Sequence, residues 1–411
     1  MFFADKHVMI VGNGVSGKGA FFALEKNGAK CSYWPEGAEK ADLIVVSPGI
    51  PPEHPCFSTG LPVLGEFAVG AILNDRPVAA VTGTNGKTTT CEMLHAMLKK
   101  RFRTALCGNI GQSFAETAAR GTYDIAVTEV SSFQLEHIEG FRPAAAAILN
   151  ISPDHLNRYP DFASYARTKL KIAENMRGGL LVLNANGIPT DLLQGFAPDA
   201  DVRYVSTRGR VYGAYAADGN LYLNGRLLCG RSRLKADGDH NVANALTAAL
   251  MASYFGVSDE EIAAVFSTFE ASAHRMREIG RVRGVAFYND SKGTNPASTL
   301  AALQTVDDAC VILGGSDKGI DYDELFAALP VGTATVILGA TSEKMTISAQ
   351  KYGVPYVTAT GMRDAVKKAY RSGRSAVVLS PAAASFDAYS NYAERGEDFM
   401  RAVTELENEE A

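Results

Sequence analysis

Seven consecutive residues have the types and spacing of a phosphate-binding loop: Gly83, Thr84, Asn85, Gly86, Lys87, Thr88 and Thr89. An apolar run precedes them and a helix-forming stretch follows, so backbone N–H groups, the positive end of a helix dipole and one ammonium group converge on one anion. Lys87 would reach the β- and γ-phosphates of a nucleoside triphosphate, and the Thr88 hydroxyl would bind Mg²⁺. Val81 stands where the general pattern has its first glycine, and a glycine-rich turn capped by threonine is the alternative. We predict an ATP-driven enzyme.

Two polar segments follow later apolar runs of the same region. Glu129 comes directly after one run, and Asn150 with Asp154 and His155 follows another. Ligands bind at the carboxyl ends of the strands in open α/β sheets, so these side chains are expected to face Lys87. A carboxylate and an imidazole suit a divalent ion beside the phosphates, although each residue taken alone is more often a helix cap or a structural histidine.

Gly12, Gly14 and Gly17 form a second glycine pattern, G-x-G-x-x-G, after the first apolar run. This pattern is typical of dinucleotide sites, but alone it is a weak signal. We prefer a nucleotide diphosphate at the start of the following helix, with the loop 47–49 as its neighbour. The alternative is that these glycines only permit close packing of the helix.

The composition argues against several classes of protein. The chain has 411 residues and a net charge of −5 without a long basic run, which disfavours nonspecific nucleic-acid binding. No stretch approaches the roughly 20 uninterrupted apolar residues of a membrane span, and residues 1–11 lack the features of a signal peptide. Six cysteines without a Cys-x-x-Cys pair fit a reducing compartment. We expect a cytoplasmic monomer that does not span a membrane.

The elements that must position these residues alternate between short apolar runs and amphipathic stretches, the pattern of βαβ units. Strands are predicted at 7–11, 43–46, 78–81, 125–128, 145–149, 180–183, 285–288, 311–313, 336–338 and 376–379, and helices at 18–27 and 88–100. The predicted fold class is α/β with three domains. Residues 1–76 are Rossmann-like, 77–271 form a central P-loop ATPase-like domain with a small β-rich insert at 202–228, and 272–411 are Rossmann-like again. A hairpin turn is predicted at 218–220.

Several segments together resemble the Mur ligases of bacterial cell-wall synthesis. They are 83–89, 129–136, 150–159, 289–295 and 379–396. The similarity covers essentially the whole chain. The phosphate loop is shared with folylpolyglutamate synthases, whereas the last segment, which begins Leu379-Ser380-Pro381, resembles more selectively the members that add D-glutamate.

The resemblance implies an ATP-dependent amide ligase that adds D-glutamate to UDP-N-acetylmuramoyl-L-alanine in peptidoglycan precursor synthesis. ATP and two Mg²⁺ ions are the implied cofactors. The alanyl carboxylate would attack the γ-phosphorus to give an acyl phosphate, and the D-glutamate amine would then attack the activated carbonyl. Phosphoryl transfer of this kind depends on charge neutralisation and alignment.

The resemblance also implies roles for individual residues. Lys87, His155 and Lys169 would be catalytic, and Lys169 would be carbamylated by CO₂. The metal ligands would be Thr88, Glu129, His155 and Lys169. ATP would contact residues 83–89, Asn241, Arg275, Asp290 and Lys292. The sugar nucleotide would contact Gly14, Ser16, Gly17, Ser47, Gly49 and Asn109, and D-glutamate would contact Thr294, Lys318, Ser385, Phe386 and Tyr392.

One segment departs from the family pattern. Residues 33–36 replace the Asp-Thr-Arg type segment that many relatives have near the uracil, so the base is expected to rest differently, stacked on Tyr33 or Trp34. Three alternatives to the function stay open: another Mur-type or folylpolyglutamate-type ligase, an NAD-dependent oxidoreductase, and a P-loop switch protein. The first is disfavoured by the segment 380–387, the second leaves Lys87 unused, and the third leaves the polar loops of the last domain without a role.

Overall fold

Parallel strands alternate with helices through most of the chain. The structure is a computed structural model, and it describes residues 2–36, 40–235, 238–270, 274 and 276–410. The contacts within the chain form two compact units. The first comprises Met1–Ser152 and Asp161–Glu270, and the second comprises Pro153–Pro160 and Ala271–Ala411. The predicted division into three domains stays a prediction.

The first sheet has four parallel strands in the first unit. They are β1 (His7–Val11), β2 (Lys30–Tyr33), β3 (Leu43–Val46) and β4 (Val63–Gly65), in the order β2-β1-β3-β4. Helix α1 (Val15–Lys26) follows β1, and α2 (Glu66–Leu73) follows β4. Because β1 lies between β2 and β3, the glycine-rich turn after it opens at the position where the strand order reverses, which is where open α/β sheets bind ligands.

The same unit contains a nine-stranded sheet. Its strands are β5 (Val78–Thr82), β6 (Thr104–Gly108), β7 (Ile125–Glu129), β8 (Ala145–Ile148), β9 (Leu180–Asn184), β10 (Asp201–Ser206), β11 (Gly213–Ala217), β12 (Asn220–Leu223) and β13 (Arg226–Gly230). Their order is β13-β12-β11-β10-β9-β8-β5-β7-β6. The helices are α3 (Lys87–Leu98), α4 (Phe114–Arg120), α5 (Ser132–Leu135), α6 (Phe162–Leu170), α7 (Asp239–Tyr254) and α8 (Asp259–Thr268). Strand β5 is buried along its whole length between β7 and β8.

The segment predicted as a β-rich insert is not separate from this sheet. Strands β10 and β11 pair in parallel beside β9, and β12 and β13 continue the sheet as antiparallel strands. The predicted hairpin is confirmed: Ala217 pairs with Asn220 across Asp218 and Gly219, whose φ angles are 50° and 71°. Two positive φ values in a two-residue loop are typical of a type I′ turn, which matches the twist of the flanking strands.

The second unit contains a six-stranded sheet. Its strands are β14 (Arg277–Val282), β15 (Val285–Asn289), β16 (Ala309–Leu313), β17 (Ala334–Ile337), β18 (Tyr356–Thr358) and β19 (Ala376–Leu379), in the order β14-β15-β19-β16-β17-β18. Its helices are α9 (Pro296–Leu303), α10 (Asp323–Ala328), α11 (Ser342–Lys351), α12 (Met362–Tyr370) and α13 (Tyr392–Glu410). Only β14 is antiparallel to its neighbour. The parallel strands β15, β19 and β16 therefore send their following loops to one edge.

No helix in the described part of the chain is both long enough and apolar enough to cross a membrane.

Glu66, the first residue of α2, is a carboxyl group buried where α2 packs on α4. It is 1% exposed, and its Oε1 accepts a hydrogen bond of 2.8 Å from the Ala115 N–H. Burial raises the pKa of Glu66 to about 7, because loss of hydration outweighs the hydrogen bonds that favour the charged form. The packing of α2 on α4 is therefore expected to depend on pH.

We expect Glu66 to stabilise the fold less as the pH rises. The pKa of Glu66 is about 7 in the folded protein, above its ordinary value of 4.5. Its contribution to stability is therefore complete below pH 4.5 and is lost as the pH rises through about 7. Glu66→Gln cannot ionise. Between about pH 5 and about pH 8, the difference between its unfolding free energy and that of the wild type should therefore shift in favour of the variant by on the order of 3 kcal/mol. Urea unfolding at both pH values measures this. Glu116→Gln, which removes a partly exposed carboxylate of α4 that pairs with Arg120, is the control. Equal pH dependence of wild type and Glu66→Gln would contradict the expectation.

Candidate active site

The phosphate-binding loop lies between the buried strand β5 and helix α3. Gly86 precedes the helix with a φ of 83°, in the left-handed region that favours glycine. A Cβ atom added there would lie 2.4 Å from the Asn244 Oδ1 on α7. The loop therefore approaches α7 too closely for any side chain at this position. Strand, turn and helix N-terminus have the arrangement that the sequence predicted, with Lys87, Thr88 and Thr89 in the first turn of α3.

The loop is held in place by the segment that follows β8. The backbone N–H of Thr84 donates to the Asn150 carbonyl at 2.9 Å, and the N–H of Asn85 donates to the Asn150 Oδ1 at 2.8 Å. The Thr84 hydroxyl contacts the Ser152 carbonyl at 3.2 Å and the Tyr165 hydroxyl at 3.1 Å. These bonds fix the loop conformation through its own backbone. Asn150, one of the polar residues expected at this edge of the sheet, is thus a hydrogen-bond partner of the loop.

Thr88 and Glu129 meet at the carboxyl end of β7. The Thr88 hydroxyl donates to the Glu129 Oε2 at 2.6 Å, and the Asn109 amide donates to the Glu129 Oε1 at 2.7 Å. Thr88 is 4% exposed and Glu129 is 2% exposed. Both oxygens of this buried carboxylate are thus oriented by neighbours. The structure brings together three residues that sequence reasoning had assigned to metal and substrate binding.

Two lysine side chains converge on the carbonyl oxygen of Gly83. The Lys87 ammonium donates to it at 2.8 Å and to the Thr84 carbonyl at 2.9 Å, and the Lys169 ammonium donates to it at 2.9 Å. Lys169 is 2% exposed, and its ammonium lies 4.7 Å from the centre of the Tyr165 ring. Two ammonium groups therefore lie beside one carbonyl oxygen, where they repel each other.

The groups around Thr88 fit Mg²⁺ in their chemistry. A hydroxyl and a carboxylate are oxygen ligands of the kind that Mg²⁺ prefers, and Mg²⁺ is commonly bound through one or two carboxylates together with substrate phosphates. Within the described ranges no three His, Cys, Asp or Glu side chains are grouped closely enough to hold a metal ion by themselves. Any ion at Thr88 and Glu129 would therefore need oxygens from elsewhere, such as phosphates.

Asn241 lies in the first turn of α7, where its N–H donates to the Gly238 carbonyl at 3.0 Å. The same helix packs on α3 and presents Asn244 to Gly86. The predicted ATP contact Arg275 lies outside the described residues.

The glycine-rich turn after β1 brings the predicted sugar-nucleotide residues to the start of α1. A Cβ on Gly17 would lie 1.8 Å from the Gly12 carbonyl oxygen, and a Cβ on Gly12 would lie 2.7 Å from the Ser47 Oγ. Cβ atoms on Gly14 or Gly49 would meet no atom within 4 Å, so these two glycines border open space. Within the described residues the buried Ser47 Oγ has no hydrogen-bond partner. A hydroxyl of this kind can bind a ligand oxygen without losing another bond. Ser16 follows on α1.

Tyr33, the last residue of β2, and Trp34, which follows it, have different surroundings. The Tyr33 ring stacks on Phe21 with centroids 5.1 Å apart, so one of its faces is covered. The Trp34 ring meets His54 edge-on at 5.6 Å. Asn109, which was also assigned to this substrate, lies instead beside Glu129 at the nine-stranded sheet.

In the second unit, three loops meet at the carboxyl edge of the six-stranded sheet. Asp290 accepts a hydrogen bond of 2.7 Å from Ser380, and its neighbour Lys292 places its ammonium 4.9 Å from the centre of the Tyr392 ring. Thr294 follows in the same loop, where its N–H donates to the Lys292 carbonyl at 3.0 Å. Ser385 is buried and Phe386 is 75% exposed.

Arg395 organises these loops, and sequence reasoning did not assign it a role. It is 3% exposed, and its guanidinium donates to the Ser291 hydroxyl and carbonyl at 3.0 and 2.8 Å, and to the carbonyls of Ala383 and Ala384 at 3.1 and 3.0 Å. A signal was present in the sequence. Arg395 shares the buried face of α13 with Phe399, at a spacing where an apolar residue is expected.

Lys318 and His155 contact the same residue within the second unit. The Lys318 ammonium lies 3.0 Å from the Asp154 Oδ1, and the His155 Nε2 lies 3.7 Å from the Asp154 Oδ2. Asp154 and His155 belong to Pro153–Pro160, the short segment that clusters with the second unit. The expectation that they face Lys87 stays a prediction.

Comparison with known proteins defines the class. The family model of the Mur ligase middle domain matches residues 81–252, and that of the Mur ligase, glutamate ligase domain matches residues 274–383. Since relatives with more than 30% identity also align over most of the chain, the chain belongs to the Mur ligase family.

Its relatives carry a more specific name. The UDP-N-acetylmuramoylalanine–D-glutamate ligase of Streptococcus uberis is 34% identical over 99% of this chain and 98% of the relative. The enzyme of the same name from Thermoanaerobacter pseudethanolicus is 38% identical over 90% of this chain and 86% of the relative.

Solved structures share the fold. A pseudomurein peptide ligase type C from Methanothermus fervidus has a TM-score of 0.67 at 19% identity and covers 98% of this chain and all of its own. MurF from Acinetobacter baumannii has a TM-score of 0.65 at 18% identity, over 97% of this chain and 91% of its own.

Gly86→Ala is expected to destabilise the first unit by about 1 to 3 kcal/mol, because alanine is strained at this φ and its methyl group meets Asn244. Adding Asn244→Ala should relieve the contact but not the backbone strain. Gly86→Ala should therefore destabilise the Asn244→Ala variant less than it destabilises the wild type, but still measurably. Thermal unfolding of the four proteins measures both terms. A Gly86→Ala variant as stable as the wild type would contradict the argument.

Proposed function

We propose that this chain adds D-glutamate to UDP-N-acetylmuramoyl-L-alanine with the cleavage of ATP. The observation that carries the proposal is the alignment of almost the whole chain with ligases of that name, at 34% and 38% identity. The phosphate-binding loop beside the buried Glu129 carboxylate supports the proposal, since a phosphoryl-transfer enzyme needs both.

The proposed reaction must first give the alanyl carboxylate a leaving group. A carboxylate does not react with an amine because it would have to expel an oxide ion. Attack of an alanyl carboxylate oxygen on the γ-phosphorus releases ADP and gives an acyl phosphate. Attack of the uncharged D-glutamate amine on the carbonyl carbon then expels inorganic phosphate, and loss of a proton from the nitrogen leaves the amide. The protein has to align the reactants and neutralise the phosphates.

Lys87 and the N-terminus of α3 are the proposed donors to the ATP phosphates. Lys87 now donates to the carbonyls of its own loop, so its ammonium already lies over the turn where phosphates would sit. Thr88 and Glu129 would hold one Mg²⁺ ion, and His155 is the proposed ligand of a second; bound Mg²⁺ supplies charge stabilisation for the transferred phosphoryl group. Asn241, Arg275, Asp290 and Lys292 are retained as proposed contacts to the nucleotide.

Lys169 is the proposed site of carbamylation by CO₂. The unmodified ammonium shares the Gly83 carbonyl with Lys87, and the two cations repel each other. A carbamate would keep one N–H for this carbonyl and would replace the positive charge by a negative one. The modification would therefore turn a repulsive contact into an attractive one and would add oxygen ligands for Mg²⁺.

The remaining ligands are assigned as the sequence predicted. The sugar nucleotide would lie on Gly14, Ser16, Gly17, Ser47 and Gly49, with Asn109 nearer the nine-stranded sheet, and D-glutamate would lie among Thr294, Lys318, Ser385, Phe386 and Tyr392. Six free thiols, of which five are buried, are typical of a reducing compartment, so we place a monomeric enzyme in the cytoplasm.

Phosphate release should require both proposed substrates. With ATP and Mg²⁺, the wild type should release phosphate only when UDP-N-acetylmuramoyl-L-alanine and D-glutamate are both present, and Lys87→Met should lose at least about a thousandfold in rate, as expected for a group that stabilises transferred phosphate. A coupled phosphate assay measures this. Equal release with L-glutamate, or release with neither substrate, would contradict the proposal.

Lys169→Ala should inactivate the enzyme by at least about a hundredfold, and acetate or propionate should restore part of the rate. The truncated side chain leaves room in which a short carboxylate can replace the carbamate. Lys171→Ala, two residues further along the chain and only half-buried, is the matched control and should be unaffected with or without acetate. Full activity of Lys169→Ala without added carboxylate would rule out the carbamate.

A further inference from the structure

A buried ion pair joins Lys318 to Asp154 in the second unit. Their N···O distance is 3.0 Å, and the two side chains are 11% and 7% exposed. The Asp154 Oδ1 also accepts a hydrogen bond of 2.9 Å from the His155 N–H. The carboxylate is therefore held in a fixed orientation beside the ammonium group.

The backbones on both sides of the pair are fastened to each other. The Asn157 N–H donates to the Lys318 carbonyl at 3.2 Å, and a Cβ on Gly319 would lie 3.5 Å from the Asn157 nitrogen. Gly319, with a φ of 70°, is held by the Asp317 carboxylate through its N–H at 2.9 Å. The cation and the anion thus project from two segments that a backbone hydrogen bond joins beside the pair.

Stability alone does not account for this pair. Desolvation of two charges cancels much of their attraction, and well-packed apolar residues often stabilise a fold as much or more. The nearby pair of Lys344 with Asp317 is half exposed and has no such cost. A charge pair kept out of water at a predicted substrate site is better explained by recognition of a ligand with matching charges.

The chemistry of the pair matches one kind of group. The head of an α-amino acid has an ammonium and a carboxylate on the same carbon atom, so its two charges are adjacent and opposite. A lysine ammonium beside an aspartate carboxylate presents the complementary charges at similar spacing. A ligand with carboxylates alone would satisfy Lys318 and would be repelled by Asp154.

We propose that Asp154 binds the ammonium group of the incoming amino acid while Lys318 binds its α-carboxylate, so that this ion pair selects an amino acid over a plain dicarboxylate. The inference rests on the proposed function, which supplies D-glutamate as the substrate. Asp154 then also positions the nitrogen atom, which must lose a proton before it can attack the acyl phosphate. The exchange of one internal ion pair for two ligand pairs leaves no buried charge without a partner.

The test compares D-glutamate with glutarate, which has the same two carboxylates and no amine. Binding of each is measured by calorimetry to the full chain with UDP-N-acetylmuramoyl-L-alanine and a nonhydrolysable ATP analogue present. Asp154→Asn should weaken D-glutamate by at least about tenfold and leave glutarate unchanged or tighter, and Lys318→Gln should weaken both. Lys344→Gln, which breaks the exposed pair in the same region, is the matched control and should change neither.

Equal weakening of both ligands by Asp154→Asn would overturn the proposal, because Asp154 would then only hold Lys318 in place; no weakening of either would overturn it as well. If Asp154→Asn lowers the melting temperature, the double variant Asp154→Asn/Lys318→Gln, which leaves no unpaired charge, is compared with Lys318→Gln. It should bind D-glutamate more weakly than Lys318→Gln does and glutarate no more weakly; equal binding of D-glutamate by these two variants would overturn the proposal. If the wild type binds no D-glutamate, the proposed substrate is refuted. If the wild type binds D-glutamate but Asp154→Asn affects D-glutamate and glutarate equally, only the role of Asp154 is refuted.

Discussion

The carbonyl oxygen of Gly83 is the point on which the chemistry of the first unit depends. It accepts hydrogen bonds from the ammonium groups of both Lys87 and Lys169. The two nitrogen atoms are therefore no farther apart than the sum of two hydrogen-bond lengths. Lys169 is buried, where such repulsion is weakly screened. An anion beside these two ammonium groups would reduce their mutual repulsion. Bound phosphates and a carbamate on Lys169 are the two compensations that the proposed reaction supplies.

Neighbouring strands and loops hold Gly83 and Glu129 in position. Strand β5 brings Gly83 to the carboxyl edge of the nine-stranded sheet, and Asn150 and Ser152 fasten the loop through Thr84 and Asn85. Glu129 is placed by the next strand in the sheet, where Thr88 and Asn109 orient its two oxygens. A site built from buried strand ends keeps its geometry before any ligand binds, which is the condition for electrostatic catalysis.

The phosphate loop could be predicted from sequence because its chemistry is local: strand, glycine turn and helix dipole all lie within one short segment. The same holds for the type I′ hairpin at Asp218 and Gly219. The strands β14 and β18 were not predicted, and the β-rich insert was not recognised as part of the central sheet, because pairing depends on partners elsewhere in the chain. The contacts of Arg395 and Asp154 could not be predicted for the same reason, although the sequence singled out Asp154 as a candidate site residue and Arg395 stands at an expected apolar position of α13. Their partners Ser291 and Lys318 are 104 and 164 residues away, and no local pattern encodes such contacts.

Activation of a carboxylate by phosphoryl transfer is the central claim, and isotope transfer tests it most directly. UDP-N-acetylmuramoyl-L-alanine labelled with ¹⁸O in the alanyl carboxylate is converted with ATP and D-glutamate, and the released phosphate is analysed by mass spectrometry. An acyl phosphate transfers one carboxylate oxygen to phosphorus, so the account predicts one ¹⁸O atom in each phosphate. Unlabelled phosphate, with the departing carboxylate oxygen found in water instead, would contradict it.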